Sequence, residues 1–375
     1  MITWKNRLAV PAAFVILGAS GATAAAQEVL VIDGTPEAAA CPVVEELVGT
    51  VEGGPDVPLT SREMSLLALD PDGGIWVAPE GARGLLVRYG SDESVPEVRI
   101  EARTPVTDLP IFIRSLAWLP GDALSVLGSP GIHLRIEHDG EIRSRSSHPA
   151  IDYVGSVQLL SDGSYVMNAQ VNAPGSRARS VHLVDSDGMI VQSLPGPPVD
   201  AVTLPADQMP YVRSLALTPD ETGVWTASRN QYQVTLWSLD GVHVRTLRRE
   251  VEWFEPWTEA TSPAVGPPPP RLGSMATDPE GRLWTQILVA DPNFEVRPPA
   301  DPTAATPHVP VDEVSRQHDA IVEVLEPGSG TVLAHCRFPG PVRLLPGGPW
   351  LIRPSITSEG HQRFRIFRVE LASDG

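Results

Sequence analysis

SLALTPDETGVWTA, residues 214–227, reads as a short apolar strand, a Pro/Asp/Gly turn and a second strand with an aromatic side chain near its start. Turn residues that tolerate positive φ, set between branched and aromatic residues, are the local chemistry of a hairpin. Five other stretches share the layout: SLLALDPDGGIWVA (65–78), SLAWLPGDALSVL (115–127), SVQLLSDGSYVMNA (156–169), SMATDPEGRLWTQ (274–286) and VRLLPGGPWLIRP (342–354). After each comes a third strand ending in a turn, as in LLVRYGSD (85–92) or VTLWSLDG (234–241). Five of these lead into a fourth, as in EVRIEA (97–102) or TVLAHCRF (331–338). Self-similarity of this kind is the mark of a repeat architecture.

The sixth unit stops at its third strand, FRIFRVELASDG (364–375). At the other end EVLVID (28–33) is a good strand followed by residues that offer little but turns, alanines and prolines. A strand deficit at one end and a surplus at the other predict that residues 28–33 complete the last unit. The expected fold is therefore all-β: a six-bladed β-propeller of four-stranded antiparallel blades, in which radial closure leaves only short, protected edges. The repeating layout resembles the six-bladed propellers of the TolB-like and NHL-like kind found in exported bacterial proteins. That resemblance implies the fold; such propellers include binding scaffolds, channel-metal lactone hydrolases and lyases, so it selects no single function.

A charged start (Lys5, Arg7), an apolar run from Leu8 to Gly18 and small residues through Ala26 have the three-part layout of a secretory signal peptide. Residues 1–26 are read as that signal and 27–375 as one propeller domain, periplasmic or extracellular. Lys5 and Arg7 leave with the signal and no acid does, so the net charge moves from −18 to −20, which argues against nucleic acid as a partner. No other segment approaches the ~20 apolar residues of a membrane span. Lys5 is the sole lysine, which excludes a Schiff-base lysine, a Walker-type phosphate loop and a Ser–Lys dyad in the mature chain. Cys41 and Cys336 are the two cysteines; in an oxidising compartment they are a candidate disulfide.

Two insertions interrupt the fifth unit, at about 249–270 and 290–319. In a propeller the connection from outermost to next innermost strand and the connection from second to third strand emerge on one face. Both insertions should lie there, the first forming a cap or groove wall over the channel mouth with Trp253, Phe254 and Trp257. The entries to the innermost strands, FIRS (112–115), YVGS (153–156), YVRS (211–214) and RLGS (271–274), should bring Phe112, Tyr153, Tyr211, Arg114, Arg213 and Arg271 to the same rim. Clustered arginines suit a carboxylate or phosphate. Acids at Glu63, Asp108 and Asp207 are the competing explanation, as ion-pair partners on neighbouring blades.

No GxSxG elbow, HExxH helix or paired-cysteine metal motif occurs in the mature chain. The expected function is that of a monomeric, non-enzymatic binding propeller whose blade-five face takes a protein partner or a small anionic ligand, with no cofactor and no metal site. Two alternatives stand beside it. One is a hydrolase or lyase with a channel calcium held by carboxylates and carbonyls; the other is a structural subunit of the cell envelope.

Overall fold

A computed structural model describes residues 28–33, 41–54, 57, 59, 66–79, 84–90, 96–103, 110–119, 123–129, 131–147, 151–171, 181–194, 213–257, 266–295 and 317–372. The expected signal segment, and Glu63, Asp108, Asp207 and Tyr211, lie outside them. Six sheets form the molecule, in chain order; each has a core of consecutive antiparallel strands, and the sheets of blades four and six each take in one further strand from the N-terminal segment. Their innermost strands are Leu67–Leu69, Phe112–Leu119, Ile151–Leu159, Arg213–Leu217, Arg271–Thr277 and Arg343–Leu345, of blades one to six. Apolar clusters pack between neighbouring blades: Trp76 of blade one against Leu124 and Leu134 of blade two, Trp225 of blade four against Met275 and Ile287 of blade five, Trp284 of blade five against Leu344 of blade six. Large buried aromatics dominate these contacts, as their area predicts. The fold is the expected six-bladed propeller.

The closing strand is not the expected one. Val43–Glu52 pairs antiparallel with the third strand of blade six, Gln362–Leu371, from Val43↔Leu371 to Glu52↔Arg363. EVLVID instead adds to blade four as a parallel fifth strand, Val29–Asp33 beside His243–Glu250. Length and charge explain the exchange. A ten-residue third strand needs a ten-residue partner, and VVEELVGTVE meets it with Glu45 on Arg353 at 2.7 Å and Glu52 on Arg363 at 2.6 Å, while Val51 is fully buried. EVLVID supplies a strand of only five residues and packs by shape: Ile32 joins the cluster between blades four and five, and Leu30 lies where a side chain at Gly330 would stand, 2.6 Å from a Cβ there. Gly330 also has φ +73°, so both space and backbone require glycine. Between these two strands Cys41 is bonded to Cys336 on the outermost strand of blade five, with Cα atoms 5.0 Å apart. The segment 29–52 is thereby attached to three successive blades.

A serine recurs at the start of the repeated stretch because it stitches the blades near the axis. Ser214 Oγ donates to the Gly273 carbonyl of the next blade (3.1 Å), and Ser274 Oγ accepts from the Leu344 amide (3.0 Å). Ser115 and Ser156 stand at the same level in blades two and three.

Candidate functional site

The upper face, where each innermost strand begins, carries the chemistry that departs from the repeat. In blade six Leu344 packs toward blade five and Leu345 toward blade one, so strand alternation puts Arg343 on the side of Leu345, at the level that Ser115, Ser156, Ser214 and Ser274 hold elsewhere. Arg271 opens the innermost strand of blade five, and Arg229 directly follows the second strand of blade four, Gly223–Ser228. The Leu272 amide donates to the Arg229 carbonyl at 3.0 Å, which ties the two positions together.

Three guanidinium groups thus converge at the channel. Loss of hydration brings the pKa of Arg343 down to about 10, and the charges of Arg229 and Arg271 push the same way. Arg271 is likewise lowered to about 10, by desolvation and then by Arg229. Both side chains are half-buried, and among the described residues neither has a hydrogen bond or an ion pair. Burial of a charge without a partner is costly and is seldom retained without a use.

Beside Arg271 the strand bulges at Gly273, and the missing side chain makes room for Gln286, whose Oε1 would lie 2.3 Å from a Cβ there. Gln286 is 1% exposed; its Oε1 accepts from Ser274 Oγ at 3.1 Å, while its Nε2 has no partner among the described residues. The cluster therefore offers two guanidiniums without a partner among the described residues, Arg271 and Arg343, with the charge of Arg229 and one amide donor nearby, a set suited to an anion that takes several hydrogen bonds. Among the described residues, no three His, Cys, Asp or Glu gather as a metal site.

Of the anticipated site residues whose side chains are described, Arg271 alone is in this cluster. Arg114 is exposed, its guanidinium 5.8 Å from the Phe112 ring, and Phe112 is itself 44% exposed. Tyr153 and Arg213 are placed on their innermost strands by backbone register, Tyr153↔Gln170 and Arg213↔Ser228.

The aromatics of the first insertion do not cap the channel, contrary to expectation. Phe254 is buried between blades four and five, and Trp253 packs 6.0 Å from Tyr232 and 5.6 Å from His335 of the outermost strand of blade five. Trp257 closes the described part of the insertion at both ends, donating its Nε1 to the Pro270 carbonyl (2.6 Å) and accepting at its own carbonyl from Asn230 Nδ2 (2.8 Å). Apolar rings follow burial, and the seam between two blades is the nearest place that offers it.

Beneath that wedge lies a buried polar knot. Glu323, fully buried, accepts from Arg249 Nη2 (2.8 Å) and Nε (3.0 Å), from Tyr232 Oη (2.7 Å) and from His335 Nδ1 (2.8 Å). Arg249 Nη1 donates to the Ile32 carbonyl at 3.1 Å, so the knot also holds the added N-terminal strand. Burial alone would raise the Glu323 carboxyl, but hydrogen bonds from His335 and Arg249 outweigh it and hold the group below its ordinary range. Every donor here has its acceptor, which marks the knot as a fastening between blades.

Arg343 and Arg229 do not precede the repeated serine, so the pattern at 112–115, 211–214 and 271–274 does not point to them; the signal the sequence does carry is that Arg343 stands in the serine column of the six repeats.

The chain is similar in structure to a member of the DUF4221 family from Bacteroides vulgatus, with a TM-score of 0.59 and 13% identity over 88% of this chain and 99% of that one. It is also similar to a calcium-binding protein, regucalcin, from Agrobacterium tumefaciens, with a TM-score of 0.46 and 11% identity over 90% and 96% of the two chains. No protein-family model and no curated protein matches the chain. At 13% identity the first likeness is one of fold, a six-bladed propeller.

Proposed function

We propose that this protein is an exported, monomeric, non-enzymatic propeller of the TolB-like and NHL-like kind that binds a small organic anion, a carboxylate or a phosphate, at the upper mouth of its channel. The observation that carries the reading is Arg343: a guanidinium in a column of serines, desolvated, beside Arg271 and Arg229. An anion seated among these groups supplies the missing counter-charge, and Gln286 Nε2 adds a donor at the side of Arg271. The acidic exterior makes the site selective by position, since an anion gains only where the positive charges are gathered.

Titration calorimetry of the mature protein against citrate, succinate, inorganic phosphate and glycerol tests this. Binding of at least one anion and none of glycerol is expected, with Arg343→Gln and Arg271→Gln each weakening it at least about tenfold, the loss of a charged hydrogen-bond donor. Absence of binding across the panel, or equal binding by both variants, would overturn the assignment.

A further inference from the structure

The opposite, lower face holds a cavity of about 1430 Å³ that the arginine cluster does not use. Its wall repeats around the axis. One residue from the end of each innermost strand or its turn contributes to a ring: Leu69, Trp118, Leu159, Leu217, Thr277 and Pro346, all half-buried and all lining the cavity. The next level inward is small, with Ala68, Ala117, Ala216 and Ala276 in four of the six blades, which widens the space behind the ring. Trp350, packed against the cluster between blades six and one, extends the wall outward.

Charge at this rim has the opposite sign to that of the upper mouth. Arg282 is consumed locally, with Nε on Asp278 at 2.5 Å and Nη2 on Glu280 at 2.7 Å. Arg368 lies over the Trp350 ring, 5.2 Å from its centre, so an aromatic face of this wall already receives a cation. Two carboxylates have no cationic partner among the described residues. Glu221 accepts only neutral donors, the Ser161 amide (2.9 Å) and Oγ (2.6 Å), and Glu370 is exposed with no ion pair among the described residues. Glu221 is also the one non-glycine residue at positive φ among the described residues (55°), a strained position that sets its carboxylate across the seam between blades three and four.

We infer that the lower funnel is a second binding site, for a small molecule with an apolar body and a positively charged group, the body seated on the ring of Leu69, Trp118, Leu159 and Leu217 and the charge directed to Glu221 and Glu370. A concave, mostly apolar cavity with a few charged groups at its edge is the usual form of a small-molecule site, and the charge at the edge chooses among ligands. This inference stands apart from the anion reading: the two sites lie at opposite ends of the channel and share no residue.

The experiment uses the mature protein, the neutral fluorescent probe N-phenyl-1-naphthylamine and two competitors of equal chain length, dodecyltrimethylammonium and dodecyl sulfate, below their micellar concentrations. Probe fluorescence should rise on binding, and the ammonium should displace it at about fivefold lower concentration than the sulfate, the preference a part-exposed charge contact supplies. Ala117→Phe, which fills the funnel, should abolish the signal; Glu370→Gln, an exposed change that leaves the fold intact, should erase most of the ammonium preference. Arg343→Gln should change neither result. Absence of probe binding, a sulfate preference, or a signal lost in Arg343→Gln and kept in Ala117→Phe would overturn the inference.

Discussion

Replacing Arg343 by serine, the residue the repeat places at its level in blades two to five, should stabilise the unliganded protein while removing its anion binding. A guanidinium whose pKa has fallen to about 10 pays for folding at neutral pH, by about 3 kcal/mol if the whole displacement counts. Part of the side chain still meets water, so about 1–3 kcal/mol is the usable figure. Spread over an unfolding entropy of ~2.1 cal/mol/K per residue for roughly 350 residues, this raises the melting temperature by about 1–4 °C. The sign with pH follows from linkage: the folded-state pKa lies below the unfolded one, so the penalty is fully present at neutral pH and is relieved as pH climbs through about 10. Scanning calorimetry in a zwitterionic buffer without added anions provides the comparison. Addition of the anion found by titration should stabilise the native protein and leave Arg343→Ser unmoved, about 2.7 kcal/mol at a hundredfold excess over Kd. A serine variant that melts below the native protein without ligand would refute the reasoning, because it would mean that the guanidinium already has a stabilising partner.

Three further outcomes follow from the architecture. Changing Cys41 and Cys336 together to serine removes a bridge across 295 residues of chain and should cost about 2–5 kcal/mol, read as a lower denaturation midpoint; reductant should produce the same fall in the native protein and none in the variant. Glu323→Gln leaves Arg249 buried without its counter-charge and should cost about 3–5 kcal/mol. Because the Glu323 carboxyl is held low, its contribution is present above the ordinary glutamate range and is lost as pH falls through the folded-state value, so the native acid-side step in stability should be missing from the variant. Expression from residue 41 onward should leave a folded ring that lacks only the added strand of blade four, whereas expression from residue 54 onward should leave blade six open and aggregation-prone, as light scattering and circular dichroism would show.

Much of the fold was legible locally. Hairpin chemistry such as DPDGG at 70–74 or LSDGS at 160–164 needs only neighbouring residues, and the Leu160 amide does meet the Ser164 carbonyl at 2.9 Å as such a turn requires. The closing strand was not legible, because VVEELVGTVE sets its first acids and apolar residues in pairs instead of alternating them, and shows its strand character only against the arginines of 362–371. Trp253 and Phe254 are apolar enough that burial is expected of them from the sequence alone. Whether they cover the channel or fill a seam depends on where the nearest apolar gap lies, and no local pattern carries that information.

By itself, then, the sequence determined the number of blades and the hairpins of consecutive strands within each, since turn chemistry and twofold alternation act over a few residues. Tertiary structure alone decided which N-terminal strand pairs with which blade, that Arg229, Arg271 and Arg343 meet at one mouth of the channel, and that an apolar funnel opens at the other. Those facts depend on distances between residues far apart in the chain, and they arise only when the ring closes and burial sets one charge against another.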